Sequence, residues 1–148
     1  MRKILTLGFI AGFISVLVFH QGTVFLLNTH GNNVPALVEW LGRTGPAFNM
    51  APVQPFGVPT VLSQAFWGGL WGIALAALLR SVPVPDLFTG FLFGAVLVTL
   101  VAFTVVAQAK GLPMFAGGNR QTWLRAALLN GSWGWGAAFL LRPLALRG

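Results

Sequence analysis

Apolar residues run through this chain in four long stretches, Ile4 to Leu27, Pro59 to Leu79, Leu87 to Ala107 and Gln121 to Leu141, each interrupted by only a few polar positions. With a rise of about 1.5 Å per residue, about 20 residues cross roughly 30 Å of hydrocarbon, so each stretch predicts one transmembrane helix. The connection between the second and third stretches, RSVPVPD, is short; Pro83 and Pro85 refuse helix, and Asp86 is placed to cap the helix that follows. Spans two and three are therefore expected to be antiparallel neighbours.

The first connection, Asn28 to Val58, is the long one. Within it NNVPALVEWLGRTG predicts a short helix over residues 34–42, with Asn33 as its cap, Pro35 in its first turn and Gly42 near its end. Val34, Leu37, Trp40 and Leu41 share one face, while Glu39 and Arg43 are spaced as an i,i+4 pair on the other. Such a helix suits the membrane surface, with Trp40 in the headgroup zone, or packing against its own bundle. The run PVQPFGVP predicts extended chain leading into the second span.

Composition sharpens this all-α, four-span picture. The chain has 148 residues, 56% hydrophobic and 7% charged, and its mean hydropathy is +0.80. Soluble domains carry about 25% charged residues, so a water-soluble fold is excluded. One membrane domain, residues 1–148, fills the length and leaves no room for a soluble catalytic module. The net charge of +7 comes from cations scattered singly at span ends, a pattern of membrane anchoring and not of nucleic-acid binding. With no cysteine, disulfide exchange, thiolate metal sites and iron–sulfur clusters are all removed.

The opening MRKILTLGFIAGFISVLVFH has the basic start of a signal peptide, but its apolar run continues and no small-x-small cleavage site follows, so it reads as a retained first span. Arg2, Lys3, Arg80, Arg142 and Arg147 fall on one side of the bilayer, with Arg43, Lys110, Arg120 and Arg125 on the other. The Arg2 and Lys3 pair beside the first span favours cytoplasmic termini.

An internal echo links the spans. Gly69, Trp71, Gly72, Ala76, Leu79 and Arg80 recur 62 positions later as Gly131, Trp133, Gly134, Ala138, Leu141 and Arg142. Gly8, Phe9 and Gly12 recur 82 positions later as Gly90, Phe91 and Gly94. Two parallel helical-hairpin repeats would produce this pattern, related by an axis along the membrane normal; so would coincidence in helices rich in glycine and alanine.

Gly8 with Gly12, Gly68 with Gly72, and Gly90 with Gly94 form GxxxG pairs, where backbones can approach closely. Packing within the chain is the most economical use of these glycines and of Gly131 and Gly134, a homo-oligomer or partner interface the other. Trp40 and Trp123 suit the headgroup belt. Trp67, Trp71, Trp133 and Trp135 lie deeper, where they can fill the gaps left by glycines or line a site for a flat quinone, haem or pigment.

Polar residues are costly within spans and are taken singly. His20, Gln21, Ser63, Gln64, Gln108, Arg125 and Asn130 all fall in one leaflet, and His20, Gln21, Gln64, Asn130 and Arg125 form the candidate polar cluster. They suit either interhelical hydrogen bonding or a shallow cavity opening outward, with His20 as its proton-handling group, since imidazole titrates near neutral pH. No acid lies inside a span and no second histidine pairs with His20, so a carboxylate-driven carrier and a bis-histidine haem site lack support. No catalytic, cofactor-binding or metal-ligating residue emerges, and no cofactor is expected.

With FHQGT in the first span, APVQPFGVP before the second, AFWGGLWG within it and NGSWGWG in the fourth, the chain resembles a group of small four-span bacterial proteins with no assigned activity. That resemblance implies a bacterial inner membrane and carries over no catalytic residue. The expected function is a non-enzymatic accessory, assembly or stabilising subunit beside a larger membrane complex; the alternatives are a small-solute transporter or channel, and a quinone or haem binder.

Overall fold

The computed structural model describes residues 1–142; Arg147, used above for orientation, lies outside them. Among the described residues the fold is all-α apart from one minimal hairpin. Helix α1 spans Arg2–Asn33, α2 Pro35–Leu41, α3 Thr60–Ser81, α4 Asp86–Ala109 and α5 Arg120–Leu141. Strands β1 Pro52–Val53 and β2 Val58–Pro59 pair antiparallel, so the proline-rich run before the second span doubles back where simple extended chain is expected.

Three of these helices, α1, α3 and α4, are long and apolar enough to cross a membrane. Helix α5 has the same length as α3, 22 residues, but Arg120, Gln121, Arg125 and Asn130 dilute its apolar stretch, and it stands outside that set.

Local expectations fail at three helix starts and turns. Val34, not Asn33, is the N-cap of α2, because the Asn33 amide turns back to the Thr29 carbonyl at 3.1 Å. Pro85 occupies the cap position of α4, and Asp86 enters the first turn, where its charge suits the positive end of the helix dipole. Glu39 and Arg43 do not pair; the ion pair of the described residues joins Arg142 Nε to Asp86 Oδ2 at 3.8 Å, tying the start of α4 to the end of α5. Gly42 does end α2, with φ of 71°.

The expected α3–α4 neighbourhood is also corrected. Beyond their turn these helices meet mainly through the Trp71 and Phe93 rings; α1 packs along α3, α4 along α5, and α1 crosses onto α5. Small residues explain the preference. A Cβ on Gly8 would lie 2.9 Å from the Gly72 carbonyl oxygen and 3.0 Å from the Ala76 methyl. A Cβ on Gly90 would meet the Gly134 carbonyl and sit 2.8 Å from the Ala138 methyl. Likewise Gly12 abuts the Gly68 carbonyl and Gly94 the Asn130 carbonyl, while the Phe9 ring covers Gly69 and the Phe91 ring covers Gly131. In lipid, where apolar burial drives helices together far less than in water, such backbone approach supplies the dispersion contacts that hold a pair.

The core lies where the two pairs meet. Phe93 of α4 sits between Trp71 of α3, at 5.9 Å between ring centroids, and Trp133 of α5, at 6.4 Å. Ala65, Leu75, Ala76, Ala137 and Ala138 are fully enclosed around them.

Candidate functional site

A side-chain amide inside a membrane helix must find its partners within the protein. Gln21 does so immediately after a π-helical turn over Val16–His20, whose wider i→i+5 bonding re-phases α1 below its glycine face. Its Nε2 donates to Gln64 Oε1 of α3 at 3.1 Å and lies 3.1 Å from His20 Nδ1, a contact that uses this nitrogen as acceptor. Its Oε1 accepts the Phe48 backbone N–H at 2.7 Å. Gln21 itself is buried. One amide thus joins α1, α3 and the long connection.

The remaining members of the expected cluster stand in two other places. Asn130 Nδ2 donates to Thr99 Oγ1 of α4 at 3.0 Å, and that hydroxyl donates to the Gly94 carbonyl at 3.2 Å. Arg125 Nη1 donates to the carbonyls of Leu41 at 2.7 Å and Arg43 at 3.2 Å. Gln121 Nε2 adds bonds to Val38 and Glu39 carbonyls at 3.2 and 3.0 Å. The Glu39 and Leu41 carbonyls stand at the open end of α2, and the Val38 carbonyl also accepts the Gly42 N–H, so the first turns of α5 help to cap this helix. The expected five-residue cluster is therefore a His20–Gln21–Gln64 node, an Asn130–Thr99 pair and an Arg125 clasp.

The deep tryptophans divide in the same way. Trp133, 3% exposed, places its indole beside Gly68 and donates to the Gly12 carbonyl at 3.0 Å. Trp71 is half-buried against the core. Trp67, 59% exposed, faces outward, and Trp135 stacks on Phe139 with ring centroids 5.4 Å apart, beside Phe19. At the span end, Trp123 Nε1 donates to the Phe115 carbonyl.

Besides Thr99, two residues that make packing contacts were missed in the sequence. Ser15 Oγ donates to the Trp133 carbonyl at 2.6 Å, and with the indole bond this gives a reciprocal pair between α1 and α5. The signal was available: Gly8, Ala11, Gly12 and Ser15 make one buried stripe of small residues at helical spacing. Thr44 was missed as well; its carbonyl accepts from Asn28 at 3.0 Å and Asn32 at 2.9 Å, and its N–H donates to Asn32 Oδ1. Loop folding of that kind leaves no periodic trace.

Chemically, the node offers amides and an imidazole without a carboxylate. Among the described residues no group of three His, Cys, Asp or Glu side chains comes together as a metal site requires. No protein-family model matches the chain, and neither a curated protein nor a solved structure does.

Proposed function

We propose that this chain is a non-enzymatic, four-span protein of a bacterial inner membrane that acts as an accessory, assembly or stabilising subunit of a larger membrane complex. In this proposal α5 is the fourth span, both termini are cytoplasmic, and α1–α3 and α4–α5 are parallel copies of one hairpin. The observation that carries it is where the polar groups are used. Gln21, Gln64, Asn130 and Arg125 all bond to groups of the chain itself, which is what a packing role requires and a solute site does not. Support for the hairpin copies comes from the matched pairs Gly8–Gly72 and Gly90–Gly134, with Ala76 and Ala138 in corresponding contacts.

Purification in mild detergent with partner identification tests the subunit role. A reproducible membrane-protein partner is expected; a monodisperse species with none in repeated preparations would overturn it. The visible spectrum of the same preparation checks for a bound haem or pigment beside Trp67 or Trp135.

A further inference from the structure

We infer that the connection between α1 and α3 lies in the headgroup layer of the membrane, with Leu37, Trp40, Met50 and Phe56 turned toward the acyl boundary and Arg43 toward lipid phosphates. The inference rests on the membrane-spanning reading and adds a lipid-contacting surface outside the spans. Three observations carry it. These four apolar side chains are 40%, 66%, 64% and 88% exposed, although the segment lies between the apolar helices and not within one. An aqueous setting would leave them as a costly patch.

The segment is also held level with the ends of the spans. Gln121 and Arg125 clasp its helix to the first turns of α5, and Gln21 holds its middle through Phe48. Phe25 and Leu26 in the last third of α1 and Trp123 and Leu124 at the start of α5 are exposed as well. Within α2 itself Val38 and Leu41 are half-buried, leaving Leu37 and Trp40 open.

Charge selects the occupant. Arg43, Lys110, Arg120 and Arg125 are assigned to this end of the bundle with Glu39 as its one acid, because Asp86 is engaged at the opposite end with Arg142. Amphipathic segments with cations and a tryptophan settle where the ring meets the acyl boundary and the guanidinium meets phosphate. A partner protein is the competing occupant.

The absence of native cysteine allows single spin labels to be placed at will. Labels at Trp40, Phe56, Glu39 and mid-span Val105 would be measured in lipid nanodiscs containing phosphatidylglycerol, comparing relaxation by oxygen with relaxation by a water-soluble nickel chelate. The expected result is strong oxygen relaxation at 105, intermediate depth at 40 and 56, and chelate access at 39. Labels at 40 and 56 as chelate-accessible as the label at 39 would overturn the inference while 105 still reported lipid. Labels at 40 and 56 shielded from both reagents would place a protein there instead and equally overturn it. Loss of oxygen relaxation at 105 would instead remove the membrane-spanning reading itself.

Discussion

The α1–α3 and α4–α5 pairs use the same glycine contacts and finish them differently. In both, the backbone of one helix lies against a carbonyl of the other, at Gly12 with Gly68 and at Gly94 with Asn130. At the first crossing the additional donor to the Gly12 carbonyl is the Trp133 indole, arriving from the other pair. At the second, the Gly94 carbonyl receives the Thr99 hydroxyl, and Asn130 donates to that hydroxyl. Trp71, which corresponds to Trp133, packs on Phe93 instead. Gly68 must be small because the indole and Val16 press upon it; at the corresponding position the Asn130 amide is used on Thr99. One contact surface therefore serves both pairs, and the differences join them into a single core.

Exchange at these two positions breaks the comparison most sharply. Gly68→Asn drives a side chain into Val16 and the Trp133 indole, an overpacking expected to cost about 1–3 kcal/mol and to disturb the α1–α5 junction. Thermal aggregation in detergent would show a large loss of stability. Gln21→Leu comes next. It strips Gln64 and the Phe48 N–H of their shared partner, with an expected cost of about 1–3 kcal/mol, and limited proteolysis should cut faster around Phe48 than in the parent protein.

Trp133→Phe keeps most of the ring but loses the donor to Gly12, a change of about 0.6 to 1.7 kcal/mol on the scale of interhelical hydrogen bonds in membranes. A double-mutant cycle with Ser15→Ala sharpens the comparison, because the reciprocal bonds predict non-additive losses of stability. Asn130→Gly is the smallest change, about 0.6 kcal/mol, since Thr99 still reaches the Gly94 carbonyl. If Asn130→Gly destabilised the chain as much as Gly68→Asn, the two crossings would not differ as described.

The helices were legible because apolar length and proline placement are local signals. Glycine positions announced close packing for the same reason, and the interval between Gly8 and Gly12 matched real contacts with Gly72 and Gly68. Pairing was less legible: a short turn between α3 and α4 suggested neighbours, but small-residue faces outweighed sequence proximity and joined α1 to α3 and α4 to α5. In the candidate site, His20, Gln21 and Gln64 were picked out by the cost of polarity in lipid, and they meet. Asn130 and Arg125 were singled out by the same cost, yet a shared leaflet says nothing about the direction a side chain takes around its helix. Thr99 and Ser15 escaped notice because a hydroxyl can satisfy itself on its own helix and so sends a weak signal.

The account depends most on α5, whose polar residues separate it from the three more apolar helices while its glycine face packs as theirs do. Single cysteines at Ser81, Gly118 and Arg142 in intact spheroplasts, treated with a membrane-impermeant maleimide before and after permeabilisation, measure its course directly. A crossing α5 predicts that Gly118 reacts from outside and that Ser81 and Arg142 react only after permeabilisation. Reaction of Gly118 and Arg142 from the same side would contradict the fourth span, and with it the paired membrane hairpins.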